Sequence, residues 1–167
     1  MAIYPIRTFG DPVLRTPADP VGEIDEAIRR LVEDMLETMY EAPGVGLAAP
    51  QIGILRRVIV FDVGEGPHEM INPEIVESSG DWTFDEGCLS VPEKYWPITR
   101  PGLVRARGRD LGGRVVEYVG DELLGRVLLH EVDHLHGKLL IERLAEGPRK
   151  EALRRLREEA LGLPSRG

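Results

Sequence analysis

From Glu23 to Ala42 the apolar residues return every three or four positions, as Ile24, Ile28, Leu31, Val32, Met35, Leu36 and Met39, with charges between them. That period predicts an amphipathic helix with one face in a core. The next stretch, "PGVGLAAPQIG" over 43–53, has too much Gly and Pro to extend the helix and is too apolar for an ordinary solvent loop. Four segments then turn branched and alternating: "RRVIVFDV" (56–63), "HEMINPEIVES" (68–78), "GLVRARGRD" (102–110) and "GRVVEYV" (113–119). These read as strands, the last two joined by "LGG" as a hairpin. From Asp121 the helical period returns, with Leu124, Val127, Leu128 and Glu131 on one side and Gly137 as the stop. A last helix is expected from Pro148 to about Leu161. Helix, strands, then helices in that order predict an α+β fold: one compact domain over 1–167, with antiparallel sheets around the second helix.

Composition narrows the class. At 167 residues the chain is long enough for one core and a dry site. Charged residues at 30% and hydrophobic ones at 42% are ordinary for a globular protein, which argues against disorder. No apolar run reaches 18 residues and the amino terminus has no signal-like core, so the cytoplasm is the expected compartment and no membrane partner is expected. The net charge of -8 argues against DNA or RNA as the main ligand. A single cysteine, Cys88, cannot form an internal disulfide and is available for other chemistry.

The chemistry concentrates in "LLHEVDHLHG". His130 and His134 are four positions apart on the predicted helix, so both imidazoles project from one face and can reach one cation. Glu131 sits beside them, placed to touch a water on that cation without being a ligand. Two surface histidines beside an acid would be the plainer reading, but this spacing is rare by chance. His136 falls on another face and is expected to be exposed and uninvolved. His68 stands alone before a strand, packed or solvated.

The third ligand decides between enzyme classes. Long-motif metalloproteases need a further histidine six positions after the second; that position is Leu140, although the accompanying glycine is present as Gly137. A glutamate from a later helix, Glu151, Glu158 or Glu159, would instead suit a thermolysin-like site. Cys88 in "DEGCLSVP", expected in a tight loop between strands, offers a thiolate that completes a Cys-His-His set with one position open. A small buried hydrophobe is the bland alternative for a lone cysteine.

Taken in order, "GVGLAAPQIG", "EGCLS" and "HEVDH" resemble the three signature motifs of the peptide deformylases. The similarity extends to the amino-terminal "GDPVLR" and the long first helix, covering most of the chain to about Leu144. It implies removal of the formyl group from the initiator N-formylmethionine of nascent polypeptides, with release of formate. Carried over residue by residue, the metal ligands fall on Cys88, His130 and His134, and the general base and acid on Glu131. A divalent cation there would bring a bound water from a pKa of about 15.7 towards about 7, giving a hydroxide to attack the formyl carbon. Iron(II) is the expected ion in the cell, with zinc, nickel or cobalt as substitutes. The resemblance assigns the oxyanion donors to the Gln51 side-chain amide and the Leu89 backbone N–H; for Gln51, capping of a nearby backbone group is the structural alternative.

Gly44 and Gly46, lacking side chains, would let a substrate backbone approach along a strand edge. The resemblance implies that Val45, Leu123 and Val127 line a methionine pocket, though such residues also serve as ordinary core. Asp133 matches the acidic residue of the family's helix motif, and by that resemblance it is expected to pair with Arg100 as a structural contact. The chain departs from the family at Leu129, where Gln is frequent, and at Gly125, where Ala is common. It resembles the compact bacterial type more than leader-bearing organellar forms. Beyond the motifs, Leu153, Leu156 and Leu161 suggest a helix packed by one apolar stripe. Arg149, Lys150, Arg154, Arg155 and Arg157 raise a sharper alternative, ribosome docking, diluted by Glu151, Glu158 and Glu159.

Overall fold

The computed structural model describes residues 2–163. The first helix, α1 (Glu26–Glu41), starts where the Asp25 side chain accepts the N–H of Ile28, a cap that satisfies one of the free donors of the first turn. Its face of Ile28, Leu31, Val32, Met35 and Met39 is buried, as the spacing predicts. The glycine-rich stretch then forms β1 (Gly46–Ala48) and a short 3-10 helix, Ala49–Ile52, too brief to carry a periodic signal. Next come β2 (Val58–Phe61), β3 (His68–Ser79), β4 (Trp82–Cys88), β5 (Val91–Arg100), β6 (Leu103–Arg109) and β7 (Val115–Asp121). The chain ends in α2 (Glu122–Leu135) and α3 (Glu146–Ala160).

Five strands form one antiparallel sheet in the order β1-β2-β3-β6-β7, and β4 pairs with β5 as a separate two-stranded sheet. All four residues of β2 are buried, because α1 covers one face of the sheet at this strand and α2 the other, whereas β6 and β7 leave one face to solvent. Val58 and Val60 pack with α1, whereas Ile59 and Phe61 face the cluster built on Val127, Leu128, Val132 and Leu135 of α2. The sheet thus fixes α2 by its apolar side and leaves its other side for the β4–β5 hairpin. A third cluster joins that hairpin, through Val91 and Ile98, to Leu140, Ile141 and Leu144 and to Ala152 and Leu156 of α3.

Three expectations need correction. Cys88 is not in a loop between strands; it is the last residue of β4, in a hairpin whose mixed residues hide its alternation. The last helix begins at Glu146, since Pro148 lies in its first turn, where a missing N–H costs little. Its buried stripe is Ala152 and Leu156 with Leu153 partly covered, while Leu161 lies past the helix end and is 76% exposed. Gly137 does end α2: its φ of +73° is the left-handed conformation, and a Cβ there would lie 2.7 Å from the Arg15 carbonyl oxygen. No helix among the described residues is long and apolar enough to cross a membrane.

Candidate active site

Because α2 is pinned by its apolar side, positions 126, 130 and 134 face the β4–β5 hairpin. On β4 the residues alternate, so Trp82, Phe84 and Glu86 turn inward while Thr83 and Asp85 are exposed. This places Cys88 Sγ 3.4 Å from His134 Nε2, which is 3.2 Å from His130 Nε2. One ligand atom from each of the three lies within 4.8 Å of the others. A tetrahedral ion with bonds of about 2.1–2.3 Å separates its ligand atoms by roughly 3.4–3.7 Å, so the set needs only small adjustment to hold one. Glu151, Glu158 and Glu159, the alternative third ligands, lie on α3 and outside this group.

The inner side of the hairpin also carries a charge network, of which the sequence indicated only the Arg100–Asp133 pair. Glu86 accepts two bonds from Arg100, at 2.9 and 2.7 Å, and one from Arg126 at 3.2 Å. His130 Nδ1 lies 2.8 Å from Glu86 Oε2. Burial pushes the Glu86 carboxyl up, but hydrogen bonds from His130 and Arg100 more than offset this and bring it down to about 2. An ionised carboxylate only accepts, so Nδ1 of His130 carries the proton and Nε2 turns its lone pair to the cluster. Arg126 also donates to the Ile98 carbonyl at 2.9 Å and to the Trp82 carbonyl, tying α2 to both hairpin strands. Arg100 pairs with Asp133 at 2.7 Å, as expected, and Arg143 holds the other side of that carboxylate.

Field and orphaned atoms fit a cation. Burial pulls the His130 pKa down, yet Cys88, Glu131 and Glu86 raise it well above its ordinary value. Burial likewise pushes the Cys88 thiol up, and the imidazoles of His134 and His130 reverse that to well below the usual thiol range. A thiolate and two imidazoles are soft and borderline donors of the kind that hold a divalent transition-metal ion. Glu131 Oε1 and His134 Nδ1 are buried without a hydrogen-bond partner among the described residues. Burial is the main reason the Glu131 pKa is raised.

The opposite wall is β1 with the 3-10 helix. Gln51 is 1% exposed and caps a backbone group: its Oε1 accepts the N–H of Ala48 at 2.9 Å, while Nε2 donates to Ser90 Oγ at 3.1 Å and lies 3.7 Å from Cys88 Sγ. Close approach at the two glycines comes from the protein's own side chains. A Cβ on Gly46 would lie 2.5 Å from Glu131 Oε2 and 2.9 Å from Val127 Cγ1, and one on Gly44 would lie 2.8 Å from Leu89 Cδ1. Asp62 N–H bonds to the Val45 carbonyl, and Gly46 pairs with Phe61 at the next register position. Alternation then turns the Gly46 N–H and C=O away from β2 to the free edge.

Between the walls is a cavity of about 300 Å³ lined by Gly44, Val45, Gly46, Gln51, Cys88 and Leu89, with Leu123, Val127, His130 and Glu131 from α2. All the sequence-selected site residues except His134 line it. His136 is exposed. His68 is packed, with its ring stacked on Phe61 and its Nδ1 3.2 Å from the Tyr118 hydroxyl. Gly125 has a reason of its own: a Cβ there would meet the Gly120 carbonyl oxygen at 2.8 Å, where β7 turns directly into α2.

An α+β fold with a Cys-His-His group on this helix and hairpin defines the class, and comparison with known proteins agrees. The family model described as polypeptide deformylase matches residues 3–150. A peptide deformylase of Agathobacter rectalis is 58% identical over 119 residues, 70% of this chain and 75% of that protein. One from Acidothermus cellulolyticus is 49% identical over 158 residues, covering 95% and 88%. The crystal structure of peptide deformylase from Thermus thermophilus superposes with a TM-score of 0.90 at 43% identity, over 95% of this chain and 96% of that one. The chain belongs to the peptide deformylase family and is an enzyme of that class.

Proposed function

We propose that the chain hydrolyses the formyl group from N-formylmethionyl nascent peptides, using one divalent ion held by Cys88, His130 and His134. The observation that carries this reading is the placing of Glu131, buried and with one oxygen unpartnered, in the same cavity as that donor set. An ion there supplies Lewis acidity, which polarises a carbonyl oxygen and makes water acidic near neutral pH. Glu131 accepts a proton from the water that adds to the formyl carbon. As the C–N bond breaks, Glu131 returns that proton to the departing amine, and formate leaves. One Gln51 Nε2 proton goes to Ser90; the other is on the Cys88 side, where it can meet charge on the formyl oxygen together with the Leu89 N–H.

The free edge of Gly46 receives the peptide as an added strand, and Gly44 shapes the adjoining lip against Leu89. Val45, Leu123 and Val127 then take the methionine side chain. We take residues 1–167 as one catalytic unit working in the cytoplasm, with iron(II) as its cellular ion and zinc, nickel or cobalt as substitutes. Formate release from formyl-Met-Ala-Ser by anaerobically purified protein, with metal quantified, tests the reading. Cleavage of unformylated Met-Ala-Ser would point to a general peptidase instead, and no formate would reject the proposal.

Ribosome docking through α3 is a separate proposal. The helix carries five basic side chains, but it spends Lys150 on Glu146 and Arg154 on Glu151 and Glu158. Co-sedimentation with ribosomes across a salt series tests it, and binding that ignores salt would count against phosphate contacts.

A further inference from the structure

Tyr95 is the one large aromatic side chain of the cavity lining that stands mostly in solvent, at 69% exposure. It sits opposite Gly87 in the β4–β5 register, and its ring occupies the space that a side chain on Gly87 would need: a Cβ there would lie 2.5 Å from Tyr95 Cε1 and 2.7 Å from Cδ1. The absence of a side chain at 87 therefore lays the ring against the backbone of β4 at the lip of the cleft.

We propose that Tyr95 is a specificity-determining residue that contacts the side chain directly after the methionine of the substrate. The proposal rests on the deformylase reading above. Phe84, Glu86 and Cys88 of β4 turn inward towards α2, and Asp85 and Gly87 turn outward. An extended peptide lying along this cleft alternates in the same way. With its methionine inward against Leu123 and Val127, its next side chain faces outward, on the face where the Tyr95 ring lies. A flat aromatic surface with no polar group interposed by Gly87 favours apolar and aromatic partners. Acidic or very small side chains gain nothing from it.

The test compares wild type, Tyr95→Phe and Tyr95→Ala on formyl-Met-Phe-Ala and formyl-Met-Gly-Ala, alongside calorimetric binding of the products Met-Phe-Ala and Met-Gly-Ala. Wild type and Tyr95→Phe should prefer the Phe peptide by about three- to tenfold in kcat/KM, carried by KM, with the same ratio in product binding. In Tyr95→Ala both ratios should fall to near one. Unchanged ratios in Tyr95→Ala, or no preference in wild type, would overturn the contact. Absence of formate from every peptide, with product discrimination intact and lost only in Tyr95→Ala, would sink the deformylase reading and leave the Tyr95 contact standing.

Discussion

The two walls of the cleft are built on opposite physical principles. The α2–hairpin wall is held by charge: Glu86, Arg100, Arg126 and Asp133 join helix and hairpin through buried ion pairs and carbonyl contacts, and the half-exposed Arg143 braces Asp133 from the segment after α2. The β1 wall carries no charged group in the cavity lining and is shaped by close packing, with Gly44 against Leu89 and Gly46 against Glu131. Stability and ligand orientation are therefore concentrated on the first wall, and backbone and amide donors on the second. Substitutions should separate the two accordingly.

Removing the carboxylate where the walls meet gives the largest effect. If the side chain moves protons without coordinating, as proposed, Glu131→Ala should lower turnover by about 10³- to 10⁴-fold while metal content and melting temperature hold; near-normal turnover would remove it from the mechanism. Within the charged wall, Arg100→Met should cost about 3–5 kcal/mol in urea unfolding, towards the lower figure since Arg126 and Arg143 still serve the two carboxylates. A loss below about 1 kcal/mol would mean the network is not what holds that wall. Acid should have a comparable effect through Glu86. Its folded pKa is depressed from 4.5 to about 2, so its contribution is full above about pH 4.5 and is lost as pH falls towards 2, on the order of 3 kcal/mol. Unfolding free energies measured from pH 6 to 2 check this, with Glu86→Gln expected to flatten the curve. On the uncharged wall, Gln51→Leu should lower kcat by about 10²-fold with metal content intact; a change confined to KM would assign Gln51 to substrate binding instead. The smallest effect belongs to the outer edge of the charged wall. Lys94→Ala breaks the 2.9 Å pair with Glu159 of α3 and should cost less than about 1 kcal/mol.

Elements that obey one strong period were legible from sequence. The helix α1 shows its stripe from Ile28 to Met39, and α2 shows both its apolar side and its two histidines. The hairpin was not, because its inward positions include Glu86 and Arg100, charges where alternation leads one to look for core, and Pro92 and Pro97 interrupt β5. For the same reason Arg126 escaped notice: a buried arginine on a helix looks like one on a solvated face. A signal was present in the spacing, since Arg126 is four before His130 and Glu86 two before Cys88, each on the same side as the candidate ligand it precedes. The motif residues Cys88, His130, His134, Glu131 and Gln51 do converge, but only the fold shows that Gln51 spends its oxygen on Ala48 and offers its nitrogen to the site.

The tight seat of Gly46 has a consequence for mutational tolerance. A single added methyl would press on Glu131 Oε2 and Val127 at once, so alanine at 46 would push the Glu131 carboxylate aside and narrow the cavity. In a scan of every position scored by growth, Gly46 would register as deeply as Glu131 itself. Intolerance in such a scan would thus mark a residue that contributes by the room it leaves as well as by its backbone edge.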